Sequence, residues 1–274
     1  MYTHTLDAFI AMAEKKVALQ RSHPLAFYIG AIAGGAYIGL GILLIFSIGA
    51  ALPASVQKLA MGLTFGIALI LVVIAGAELF TGYTLYMTLG LLAGKVSLRA
   101  VLGSWAGCWL GNLAGAMLVA ALFAVGGANG LLSDPQSLLY HAADYKMSGT
   151  PAALLAKGIL CNWLVCLALW MSSRVQGDVA KCMVISWCLL AFIASGYEHC
   201  VANMTLLGLA LMGRHGDWAT LVSALYNLGL VTLGNVMGGA LMVGGLYWLA
   251  DQRGLRVPPA SAPLRSAQNA APSR

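Results

Sequence analysis

Six apolar segments constrain this chain more than anything else in it, because each is close to or longer than the ~20 residues that an α-helix needs to cross a bilayer. They run over residues 24–48, 59–92, 101–125, 152–173, 182–212 and 221–250. With 60% of its 274 residues hydrophobic, only 9% charged and a mean hydropathy of +0.85, the chain lacks the polar surface that water requires. The expected class is an all-α membrane protein with six transmembrane helices. The second and fifth segments are too long for one simple span. Gly76 and Gly82 in one and Gly196 in the other predict helices that break near mid-membrane and resume.

Ionisable groups lie at those breaks. Residues 191–203 read AFIASGYEHCVAN, with Glu198 and His199 adjacent, and residues 74–84 read IAGAELFTGYT, where Glu78 aligns with Glu198 once Gly76 is laid on Gly196. An ionisable side chain at membrane depth costs on the order of 3 kcal/mol on insertion scales and usually marks a substrate or ion pathway. His199 is read in that way. Glu78 and Glu198 are expected to be structural instead, accepting hydrogen bonds from backbone N–H groups freed where each helix unwinds, with Glu198 also placed to orient His199. Further on, LGNLAG at 110–115 is echoed by LGNVMG at 233–238. The chain therefore reads as two halves on one plan. With three spans in each, an odd number, the second half enters the membrane inverted relative to the first, and the pathway is expected where the halves meet.

The remaining organisation follows from charge and periodicity. Residues 1–23 are too polar to span, but Leu6, Phe9, Ile10, Ala13 and Val17 fall at helical spacing, which predicts an amphipathic cytoplasmic helix and not a cleaved signal peptide. Residues 24–126 form the first repeat, 127–150 a periplasmic connecting loop and 151–250 the second, inverted repeat. Residues 251–274, with Pro258, Pro259 and Pro263, are expected to be a disordered cytoplasmic tail. Eleven of the fifteen Lys and Arg fall on the side of the amino terminus, leaving Lys58, Lys146 and Arg214 outside and Lys157 at a span edge, so both termini are expected in the cytoplasm. The net charge of +6 is thus a matter of topology, and no nucleic-acid partner is expected.

Glycines four apart, Gly103/Gly107/Gly111/Gly115 above all, predict close helix crossings. The six cysteines lie in spans without a CxxC pair and read as small apolar residues; no metal and no cofactor is expected. The seven tryptophans are expected mainly at the membrane interfaces. An intramembrane enzyme built on Glu198, His199 and Cys200 is a weaker alternative. Successive helical residues point about 100° apart, and no HExxH pattern is present. An aquaporin would carry paired Asn-Pro turns, and no Asn-Pro occurs.

GAELFTG at 76–82, KGILCNWLVCLALW at 157–170 and FIASGYEHCVANM at 192–204 resemble the signature stretches of the formate/nitrite transporter family, and the resemblance runs from about residue 20 to 250. Within the family the sequence is most similar to bacterial nitrite channels. The resemblance implies an aquaporin-like fold, a homopentamer in the bacterial inner membrane and a pore through each protomer. It implies that His199 is the central pore histidine, that Thr81 lies in the irregular loop after the first half-helix, and that Asn162 and Asn203 are polar residues near the histidine. It further implies apolar constrictions above and below, made by Phe65, Leu69, Leu79, Phe80 and Phe192, and a vestibule lysine, Lys146, that draws anions in. Lys157 is an added cation relative to the formate branch, read either as an anion attractor or as a snorkelling anchor; Cys200 stands where serine is common.

The implied function is passage of nitrite or a similar small monovalent anion, formate and hydrosulfide being the alternatives. An anion crosses an apolar constriction only at a severe desolvation cost, whereas its neutral acid does not. An imidazole of ordinary pKa ~6.5 between two such constrictions could protonate the passing anion or hold it electrostatically, and the sequence leaves both open, as it does proton coupling.

Overall fold

The computed structural model describes residues 2–251 apart from 214, 215, 217 and 218. The 252–274 tail, Arg214 and Trp218 lie outside the described residues. Within them, every regular element is helical.

Helix α1 (Thr3–Ser22) buries Leu6, Phe9, Ile10 and Ala13 against the bundle. Helix α2 (Pro24–Ala50) starts on a proline whose missing N–H would be unpaired there anyway. Helix α3 (Ala54–Ile70) runs on through a π-helical turn, Leu71–Gly76, and α4 (Phe80–Leu92) follows after a short extended break. Helix α5 (Leu98–Val125) is capped by Ser97, and α6 (Leu138–Met147) lies in the connection between the halves. Helices α7 (Pro151–Ser172), α8 (Asp178–Ala194) and α9 (Cys200–Met212) come next. Helix α10 (Leu221–Gly239) begins with a Thr220–Ser223 capping box and continues through a second π turn, Ala240–Gly245, into α11 (Leu246–Ala250).

Among the described residues, five stretches are long and apolar enough to cross a membrane: Pro24–Ala50, Ala54–Gly76, Leu98–Val125, Pro151–Ser172 and Leu221–Ala250. The expected fifth segment is divided between α8 and α9, and the second between α3 and α4. At 13 residues, α4 and α9 each extend only about 20 Å. The breaks occur where glycine permits them: Gly76 has φ +84° and Gly196 φ +70°, and a Cβ at either would meet nothing within 4 Å. Backbone conformation, not space, therefore requires glycine at both. The peptide after each closes the preceding turn, Ala77 N–H to Val72 O at 2.9 Å and Tyr197 N–H to Phe192 O at 3.0 Å.

Close crossings carry the packing. A Cβ on Gly115 would lie 1.8 Å from Ile32 O, and one on Gly238 2.4 Å from Ile159 O, so α5 meets α2, and α10 meets α7, nearly backbone to backbone. Three sequence expectations need correcting. Gly103 is exposed, with room for a Cβ, so the α5 stripe begins at Gly107. Trp105 and Trp109 are not interfacial anchors, because their indole N–H groups donate inward to Tyr83 O (3.2 Å) and Thr232 Oγ1 (3.1 Å). Trp170 is buried, stacked on Tyr247 and Phe9 beneath α1. The 127–150 connection also holds a helix that sequence reading did not foresee: Ser137 caps α6, which seats Leu139, Tyr140, Ala143 and Met147 inward.

Candidate functional site: two broken helices around a histidine

Each break exposes backbone groups that lipid cannot satisfy, and one asparagine serves each. Asn112 Nδ2 of α5 donates to Ala31 O (2.7 Å) and Glu78 O (2.8 Å), while its Oδ1 accepts from Phe80 N–H (2.9 Å). Asn235 of α10 repeats the pattern, donating to Gly158 O (2.8 Å) and Glu198 O (2.9 Å) and accepting from Cys200 N–H (2.9 Å). The amides of Glu78 and Glu198 also donate alike, to Gly30 O at 3.0 Å and Lys157 O at 3.3 Å.

The glutamate side chains therefore do something other than expected. Neither accepts from the freed backbone. Glu78 Oε2 takes Lys16 Nζ from α1 (2.5 Å) and the Tyr83 hydroxyl (2.9 Å). Glu198 Oε2 takes Lys146 Nζ from α6 (2.8 Å) and Asn203 Nδ2 (2.6 Å), and Asn203 also donates to Asn227 Oδ1 (2.8 Å). A carboxylate in a low-dielectric setting is best met by a cation, and neutral asparagine amides suffice for neutral peptides.

His199 occupies the residue between Glu198 and Cys200 and caps α9. Its Nδ1 accepts from Ala202 N–H at 3.2 Å, which assigns the ring proton to Nε2, 3.2 Å from Thr81 Oγ1. Phe192 stacks on the ring at 6.0 Å and 17°. In the first half Leu79 holds the matching place with nearly the same backbone angles, φ −115° and ψ 123° against −112° and 114° for His199.

Three cavities lie in series around this ring. The first, about 280 Å³, is lined by Lys16, Glu78 and Tyr83 and also by Leu69 and Leu79. Those two leucines also wall a void of about 10 Å³, enclosed further by Phe65, Phe192 and His199; that is room for roughly one water. Phe192 and His199 in turn border the third cavity, about 150 Å³, which Lys146 and Asn203 also line. Leu69 and Leu79 thus line both the first cavity and the void, and Phe192 and His199 both the void and the third cavity, with the Phe65 ring edge-on to Phe192 at 5.6 Å.

Other named residues fall elsewhere. Phe80 lies apart from all three cavities and lines an apolar groove between α5 and α10 with Trp105 and Trp109, because the extended residue before it turns its side chain away. Lys157 also lies outside them, its Nζ on the Tyr145 hydroxyl (2.7 Å) and over that ring (4.5 Å). Asn162 is buried behind Thr81, donating to Thr81 O, Thr84 Oγ1 and Asn235 O. Sequence reading missed Lys16, Tyr83, Asn112, Asn227 and Asn235 as site residues. The LGN echo at 110–112 and 233–235 already carried the two asparagines; nothing local flags Lys16.

Comparison with known proteins identifies the family and the fold. The family model described as formate/nitrite transporter matches residues 3–249. The nitrite transporter NirC of Salmonella typhimurium is 48% identical over 260 residues, which cover 95% of this chain and 96% of that protein. Among solved structures, an FNT family ion channel superimposes with TM-score 0.89 at 48% identity, over 90% of this chain and 99% of that one. A pentameric formate channel with formate bound does so with TM-score 0.73 at 29% identity, over 85% and 99%.

Proposed function

This chain belongs to the formate/nitrite transporter family, a multi-pass membrane transport protein and not an enzyme, and from that premise we propose that it conducts nitrite through each protomer past His199. The single observation behind the proposal is the placement of the His199 ring on the wall of a water-sized void, with Leu69 and Leu79 on the side of one cavity and Phe192 on the side of the other, and a lysine in each of those cavities. On this reading Lys16 and Lys146, each paired with a glutamate, offer their remaining ammonium N–H groups to anions in the two vestibules. The apolar side chains exclude hydrated ions, and the imidazole compensates for the water that a passing anion loses.

Of the two roles for the ring, holding the anion fits the geometry better. A ring protonated on Nε2 has a single N–H, which rests at Thr81 Oγ1 and would turn from it, or share it, to meet a passing anion. To hand over a proton and stay neutral it would first need a second one on Nδ1, which faces Ala202 N–H. The matched bonds at the two breaks, and α1 and α6 placed alike against them, support six spans in two inverted halves, with α1 and both termini cytoplasmic in the bacterial inner membrane. The pentameric neighbour supports a homopentamer.

Flux of nitrite, formate and hydrosulfide into proteoliposomes at two pH values, with wild type and His199→Asn, tests this. Nitrite is expected to pass fastest, and the variant to lose most of its flux. Equal flux in both proteins at every pH would overturn the role of His199, and faster formate would reassign the substrate.

A further inference from the structure

Away from the pathway, a crevice of about 580 Å³ opens where α1 meets the turn between α4 and α5. Arg21 of α1 and Lys95 of the turn stand on its walls, Val17 and Val96 give it an apolar floor, and Glu14 completes its charged residues. Both cations are exposed, and neither side chain has a hydrogen-bond or ion-pair partner among the described residues. Lys15 and Arg99, also exposed, lie nearby in sequence on α1 and α5.

The position of the crevice in the fold says what these charges face. Arg21 and Lys95 each lie three residues ahead of the first residue of a membrane-crossing helix, Pro24 of α2 and Leu98 of α5. That is the depth of the headgroup layer, where a basic pocket between helices recognises lipid phosphate. From the same two starting points, Leu25 and Ile29 on α2 and Leu98 and Leu102 on α5 are 54–73% exposed, an apolar surface that continues into the hydrocarbon. A soluble anion would use the two cations but gain nothing from the apolar floor or from these side chains.

We propose that this crevice binds the phosphate of an anionic phospholipid, with Arg21 and Lys95 as its contacts and the exposed side chains of α2 and α5 as the bed for its acyl chains. Glu14 opposes the negative headgroup and sets a limit on its affinity. Because α1 also delivers Lys16 to Glu78, lipid bound here braces the helix that reaches the first break. The inference requires that the chain span a bilayer and that this face stay clear of the neighbouring protomers of the proposed pentamer; it does not depend on which ion is conducted or on the role of His199.

Native mass spectrometry of the full-length detergent-purified protein, titrated with phosphatidylglycerol, phosphatidylcholine or inorganic phosphate, tests it. Wild type is expected to retain phosphatidylglycerol over phosphatidylcholine. Arg21→Gln/Lys95→Gln should weaken that binding about twenty-five-fold, from a factor of roughly five per cation at a membrane surface. Glu14→Gln should tighten it, a change in the opposite direction that no folding defect mimics, and Lys58→Gln/Lys181→Gln should leave it unaltered. Equal retention of both lipids, undiminished retention by the Arg21/Lys95 variant, or displacement of the lipid by inorganic phosphate at equal concentration would overturn the proposal, the last by making a soluble ion the ligand.

Discussion

Asn235→Leu tests the polar bracing of the second break, because leucine keeps the heavy-atom count and branching of asparagine, though with more bulk, and cannot make its hydrogen bonds. Asn235 serves Gly158 O, Glu198 O and Cys200 N–H. Gly158 lies inside α7 and keeps an intrahelical donor, so the Glu198 carbonyl and the Cys200 amide are the groups left bare. At about 1–3 kcal/mol for each buried unsatisfied group, the loss is about 2–6 kcal/mol. Polar contacts between membrane helices average only about 0.6 kcal/mol in double-mutant cycles, which places the expectation in the lower part of that range, about 2–4 kcal/mol. Reversible unfolding of the detergent-solubilised protein by titration with a denaturing detergent, followed by tryptophan fluorescence, measures it. Asn112→Leu should cost a similar amount, since it removes the matching three bonds. The two variants should differ in transport, because the residue set loose by the first is His199 and by the second Leu79. An Asn235→Leu protein within about 0.5 kcal/mol of wild type would mean that water or rearranged backbone serves the break, and the bracing argument would fail.

Three further outcomes are expected. Thr205 Oγ1 is the one buried side-chain polar atom without a partner among the described residues; Thr205→Val should therefore raise stability, by up to about 1 kcal/mol in the same unfolding assay, and a loss of stability would reveal a hidden partner. Lys16→Met leaves Glu78 with Tyr83 alone; since the lysine side chain is 22% and the glutamate 10% exposed, the cost should fall below that of breaking a fully buried pair, at about 1–3 kcal/mol. The same variant should speed tryptic cleavage within α1, and unchanged digestion would refute the tether. The Lys157 ammonium donates to the Tyr145 hydroxyl and holds its pKa below the ordinary tyrosine value. The phenolate absorbance assigned to Tyr145 by difference from Tyr145→Phe should appear at higher pH in Lys157→Met, and identical titrations would deny the contact.

Much of the architecture could be read from the chain alone, because the bilayer is a demanding solvent. It requires long apolar helices, and it makes an interruption in one visible as excess length with a glycine and an ionisable group inside. The two breaks at Gly76 and Gly196, the matched LGN stretches and the placing of Glu78, Glu198 and His199 at those breaks all follow from that one constraint. What only the tertiary structure decided was which group answers which. The freed peptides went to Asn112 and Asn235 and the glutamates to Lys16 and Lys146, pairings that join positions 34 to 62 residues apart and depend on how α1 and α6 dock. The direction of a side chain beside a break was also decided there. Leu79 and Phe80 are consecutive, yet the extended Leu79 lines the void and Phe80 the far groove, and at a break no helical or strand period carries over to say which of two neighbours will face the histidine.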